Sequence, residues 1–148
     1  MKVEKLKIVL ISTPIGFLGS GKGGGVELTV ISLIKGLLSL GHEIILLAPA
    51  GSILPSDCES VELREFHGID QPSWQKQEFS CPVIFPADGI LPKLIEGALA
   101  IGKDADLILN LSYDWLPLWI TPFIDLKLFH LISMGGVSKA MNNAIKEV

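Results

Sequence analysis

Residues 6–13, LKIVLIST, form an unbroken apolar run that Pro14 ends. Apolarity without alternation predicts a strand covered on both faces. From Val26 to Leu40 the apolar positions recur three and four apart (Val30, Leu33, Ile34, Leu37, Leu38), which predicts a helix closed by Gly41 and His42. EIILLAPA (43–50) repeats the first pattern, so strand, helix and strand follow one another as a parallel βαβ unit. VELREFHG (61–68) alternates and predicts a third strand near the sheet edge. Residues 69–89 are irregular and proline-punctuated, a long loop of the sort that carries function.

Residues 90–103 read as a helix with Pro92 in its first turn, and DLILNLS (106–112) as a fourth strand. DWLPLWITPFI suits a short helix that Asp114 can cap, LKLFHLISM (126–134) a fifth strand, GG a turn, and SKAMNNAIKEV a last helix begun at Ser138. Alternating β and α with buried strands predicts one α/β domain over 1–148, a Rossmann-like doubly wound parallel sheet flanked by helices. In such sheets ligands sit beyond the carboxyl ends of the strands, where strand order reverses. Attention therefore falls on the loops after Thr13, Ser112 and Met134.

Composition narrows the options. The chain is 49% hydrophobic with only 19% charged residues, unusually apolar for 148 residues, which leaves room for an exposed apolar face and a homodimer through it. A net charge of −4 with scattered Lys and Arg gives no stripe for nucleic acid. Lys35, Glu43, Asp114 and Asp125 interrupt the richest apolar windows, so no membrane span is expected. The basic, then apolar, start contains Glu4 and no cleavage signature, which favours a first strand over a secretion signal. Cys58 and Cys81 show neither a disulfide framework nor metal spacing and fit a reduced, cytoplasmic setting; no metal site is expected.

The chemistry points to GFLGSGKGGGVE, residues 16–27, between the first strand and the first helix. It falls one residue short of a P-loop, since Gly23 stands where Ser or Thr would bind Mg²⁺. It satisfies the dinucleotide pattern through Gly19, Gly21 and Gly24, but the second strand ends without the acid that takes ribose hydroxyls, which weakens an NAD-dependent dehydrogenase reading. What both patterns share is glycine backbone and a helix N-terminus suited to an anion, with Lys22 beside it. A stand-alone ligand-binding module and a solvent loop remain open on these residues alone.

KGGGVE leading into a helix, then GHEIILLAP, SYDW and FHLISMGG, together resemble the N-terminal domain of GT-B glycosyltransferases, family 4. The opening STPIGFLGSGKGGGVELT is similar to the cyanobacterial group in that family that moves glucose from UDP-glucose to tetrahydrobiopterin. The resemblance implies a retaining transferase needing no metal or other cofactor, with a nucleotide-sugar donor and a small-molecule acceptor as partners. It also implies a second, donor-binding domain, absent from these residues, so little activity is expected from them alone.

Carried over by position, Lys22, Gly23, Gly24, Gly25 and Glu27 approach the donor diphosphate, though a negative charge in a first helical turn accounts for Glu27 equally well. His130 and Asp114 take the catalytic positions beside the transferred sugar; a buried core His and a helix cap are their ordinary explanations. Tyr113 replaces the family's His in YDW. With Trp74 and Trp115 it falls on the acceptor side, where Trp74 and Phe79 could stack on a flat heterocycle.

Overall fold

In a computed structural model, residues 4–134 and 138–148 are described. The Gly135–Gly136 turn lies outside them. Five strands, β1 (Lys7–Ile11), β2 (Glu43–Pro49), β3 (Glu62–Phe66), β4 (Leu107–Asn110) and β5 (Leu128–His130), form one all-parallel sheet in the order β3-β2-β1-β4-β5. The helices are α1 (Gly25–Ser39), α2 (Ile90–Gly102), α3 (Trp115–Ile120) and α4 (Lys139–Ile145). The architecture is the Rossmann-like α/β sheet that the alternating pattern predicts.

The unbroken apolar strands have a direct structural reason. Ile8 and Leu10 of β1, with Ile44 and Leu46 of β2, pack against Val30 and Ile34 of α1. Their neighbours Val9, Ile11, Ile45 and Leu47 face the other way, onto Ile90, Leu91, Leu94 and Ile95 of α2. Both faces are thus dry, and a polar residue at any of these positions would be stranded. α1 stops where Gly41 takes a φ of 87° and donates to the Leu38 carbonyl, while His42 donates to that of Leu37. This is a Schellman closure, which a left-handed glycine makes inexpensive. Strand order reverses between β1 and β4, so the crevice lies beyond Ile11 and Asn110.

Candidate functional site

Past β1, Ser12 still donates its amide to the Leu47 carbonyl, and the chain then turns into the glycine loop. Residues 16–18 fold back over the carboxyl end of β2. There Leu18 is buried, its amide donates to Ser52 Oγ (3.0 Å), and its carbonyl accepts from Ile53 N–H (3.0 Å). The strand beneath ends in Ala48 and Pro49 rather than in an acid suited to ribose hydroxyls.

The loop is organised by Glu27, in the first turn of α1. Its carboxylate accepts from the amides of Gly19 (2.8 Å), Gly23 (2.9 Å) and Gly21 (3.3 Å) and from Ser20 Oγ (3.2 Å). Burial pushes the pKa of Glu27 up, but the Gly23, Gly19 and Gly21 amides and the Ser20 hydroxyl outweigh burial and hold it below the ordinary carboxylate value. The carboxylate oxygens of Glu27 are thus taken up by its own loop. Gly23 is fixed by the same packing, since a Cβ there would lie 2.9 Å from both Glu27 Cγ and Thr13 Cγ2. The P-loop Ser or Thr has no room.

On the other side of the loop a cavity of about 330 Å³ opens at the switch point. Thr13, Lys22, Gly23, Gly24 and Gly25 form one wall, and Ser73, Trp74, Gln75 and Tyr113 face them. Of the amides from Gly19 to Glu27, that of Gly25 has no partner among the described residues, and it lies in this wall. Gly24 before it has φ 58° and ψ −133°, backbone that a side chain would forbid. Lys22 reaches across the mouth, its Nζ 3.0 Å from Asp70 Oδ2, with both groups partly exposed. Tyr113 holds a left-handed φ of 56°, rare outside glycine, and its hydroxyl donates to the Met134 carbonyl. Burial raises the Tyr113 pKa, so the phenol stays protonated.

The remaining sequence candidates lie elsewhere. Asp114 is 1% exposed and caps α3, accepting from the Trp115 amide at 2.7 Å; its other oxygen has no partner, and burial raises its pKa to about 7. Trp115 leaves the cavity for an outward row of rings, with centroids 6.4 Å from Phe85 and 6.2 Å from Trp119. Phe79 is half exposed and outside the wall.

Both ring nitrogens of His130 are engaged. Because Thr121 Oγ1 donates to the Pro117 carbonyl (2.6 Å), it accepts from His130 Nε2–H (2.8 Å). That leaves Nδ1 to accept from Asn110 Nδ2 (3.1 Å), whose Oδ1 takes the Ser112 amide (3.1 Å). Burial lowers the His130 pKa to about 4, so the ring is neutral at pH 7. The His130 ring thus ties β4 and β5 to the segment after α3, and the Asp114 carboxyl caps α3; neither lines the cavity. Asp70 and Gln71 emerge only from the structure, as lone polar residues in an irregular loop with no pattern to mark them.

Among the described residues no helix is long and apolar enough to cross a membrane, and no three His, Cys, Asp or Glu side chains are placed to hold a metal ion. The sequence matches no family model and none of the curated proteins with which it was compared.

Proposed function

We propose that the switch-point cavity binds the diphosphate of a nucleotide sugar, and that the chain is the acceptor-side domain of a retaining glycosyltransferase. The observation that carries the proposal is the convergence of Lys22, the Gly24–Gly25 backbone and the open Gly25 amide on one wall of the crevice, at the N-terminus of a fifteen-residue helix. Such a wall favours a diphosphate by close backbone approach, an N–H donor and the positive helix end. Trp74 and Tyr113 opposite supply flat apolar surface for an acceptor. The resemblance of the glycine loop to family 4 selects UDP-glucose as donor and a heterocycle such as tetrahydrobiopterin as acceptor.

In this reading the acceptor oxygen bonds to the anomeric carbon as the bond from that carbon to the phosphate oxygen breaks. UDP departs carrying the acceptor's proton. The protein's task is to stabilise charge on the departing phosphate, which Lys22 and the Gly25 amide do here, while a second domain supplies the other wall of the cleft. Turnover by these residues alone is expected to be negligible, because the reacting centre needs both walls.

Titrating UDP into ¹⁵N-labelled protein tests the binding step. The amides of Gly23, Gly24 and Gly25 are expected to shift, and Lys22→Ala to weaken the response several-fold. No shift at those glycines up to millimolar UDP would refute the proposal.

A further inference from the structure

Among the described residues, the buried side-chain nitrogens and oxygens without a hydrogen-bond partner are Ser12 Oγ, Gln71 Oε1, Trp74 Nε1, Ser112 Oγ, Asp114 Oδ2 and Trp115 Nε1. Their positions in the chain are not scattered. Ser12 and Ser112 follow β1 and β4, the strands that flank the switch point; Asp114 and Trp115 begin α3; Gln71 and Trp74 belong to the long loop that walls the cavity. Buried polar atoms are nearly always paired, so unpaired ones concentrated just after β1 and β4 and in the long loop need a physical reason.

Asp114 is the carboxylic acid of this group. Its Oδ1 is committed to the Trp115 amide, and its Oδ2 is free. The Trp74 indole and the Gln71 amide both favour the charged carboxylate as weak hydrogen-bond donors, and neither reaches full hydrogen-bond geometry at Oδ2. Gln71 Nε2 donates one hydrogen to the Ile84 carbonyl at 2.7 Å and has a second to give. Trp74 packs in one cluster with Tyr113, Leu118 and Met141, with Trp115 against it, so its indole is held beside the start of α3.

We infer that Asp114 is a proton-operated latch on the long loop: ionised, its Oδ2 takes the Trp74 indole N–H and the second Gln71 N–H, and protonated, it releases both. Closing the latch draws residues 71–74 toward α3, and with them the Ser73–Gln75 wall of the cavity. The proton leaves to solvent as pH rises and returns as it falls. Burial raises the Asp114 pKa to about 7, so the exchange falls near neutrality.

No other charge drives the transition. Tyr113 beside Asp114 is neutral and bonded to Met134; Asp70 is paired with Lys22; Lys76 and Glu78 on the loop and Lys139 on α4 are exposed; His130 is held by Asn110 and Thr121. The influences on the Asp114 carboxyl are burial first, then the Trp115 amide, Trp74 and Gln71.

The latch rests on the fold, and only its consequence for ligand affinity rests on the nucleotide-sugar reading. The test follows the Trp74 indole ¹H–¹⁵N resonance, assigned by its loss in Trp74→Phe, from about pH 5 to about pH 9, two units either side of the midpoint. A downfield shift with a midpoint near neutrality is expected in the wild type. Asp114→Asn, which keeps an oxygen for the Trp115 amide, should abolish it. In Trp74→Phe the Asp114 carboxyl ¹³C midpoint should move to higher pH, because the ionised form loses a donor. An indole resonance that stays flat across the range, or that titrates unchanged in Asp114→Asn, overturns the latch. An indole that titrates in protein that fails to bind UDP supports the latch and overturns the nucleotide reading alone.

Discussion

Glu27 gathers three amides and a hydroxyl around one carboxylate, and the consequence of losing that charge follows from its surroundings. Hydrogen bonds to an ionised acceptor contribute about 1.5–3 kcal/mol net, and Gly19 and Gly21 are exposed enough for water to replace part of that. Glu27→Gln is therefore expected to lower unfolding free energy at pH 7 by about 2 kcal/mol, read from urea denaturation. The folded-state pKa lies below the ordinary value of 4.5, so the contribution is complete above 4.5 and disappears as pH falls through the folded value. The gap between wild type and Glu27→Gln should accordingly close on acidification. Equal stability at pH 7, or a gap that widens in acid, would show that the loop does not depend on this charge. None of this is visible in GKGGGVE as letters, because a carboxylate in a first helical turn serves the helix dipole equally well until the loop's amides are placed in space.

Elements were legible where burial alone dictates them. The three-and-four spacing predicts a helix from Val26 to Leu40, and α1 runs Gly25–Ser39; the apolar run at 43–50 becomes β2, Glu43–Pro49. The fifth strand is expected over 126–134 and spans only Leu128–His130, since β4, its one partner among the described residues, offers Ile108, Leu109 and Asn110 alone. Apolarity beyond those residues reflects surface and not pairing: Leu131 and Ile132 are exposed. Contacts between loops were not legible. The Lys22–Asp70 pair joins residues 48 apart across the cavity mouth, with no local pattern to announce it. An exposed pair of this kind contributes only about 0–1 kcal/mol to stability, so breaking it leaves the fold intact while freeing the ammonium for a ligand. Asp70→Asn is expected to tighten UDP binding several-fold by calorimetry with little change in melting temperature. Weaker binding would mean that Asp70 holds Lys22 in position for the ligand instead of competing with it.

At the scale of the molecule, 49% hydrophobic content must be accounted for as surface as well as core. Part of it forms a row of rings along α3 and beyond, Phe85–Trp115–Trp119–Phe123, with successive centroids 6.4, 6.2 and 5.4 Å apart. Trp119 is 53% and Phe123 73% exposed. At ~150–250 Å² per ring, the exposed parts of Phe85, Trp119 and Phe123 amount to roughly 350 Å², as large as the largest apolar patch on an ordinary monomer. β5 pairs with β4 on one side and, among the described residues, with no strand on the other, so an open backbone edge belongs to the same apolar surface as exposed Phe129. Water is a poor partner for the rings, the open edge can pair with a second strand, and contact between two copies removes ring surface at each encounter. The 148-residue chain is therefore expected to self-associate with rising concentration, seen as an increasing weight-average mass in sedimentation velocity. Replacing Trp119 and Phe123 together by Ser should return it to monomer without loss of secondary structure, because neither side chain is buried in the core. A wild-type chain that stays monodisperse and monomeric at high concentration would mean that the ring row is tolerated in water, and the surface would need no partner to explain the folded domain.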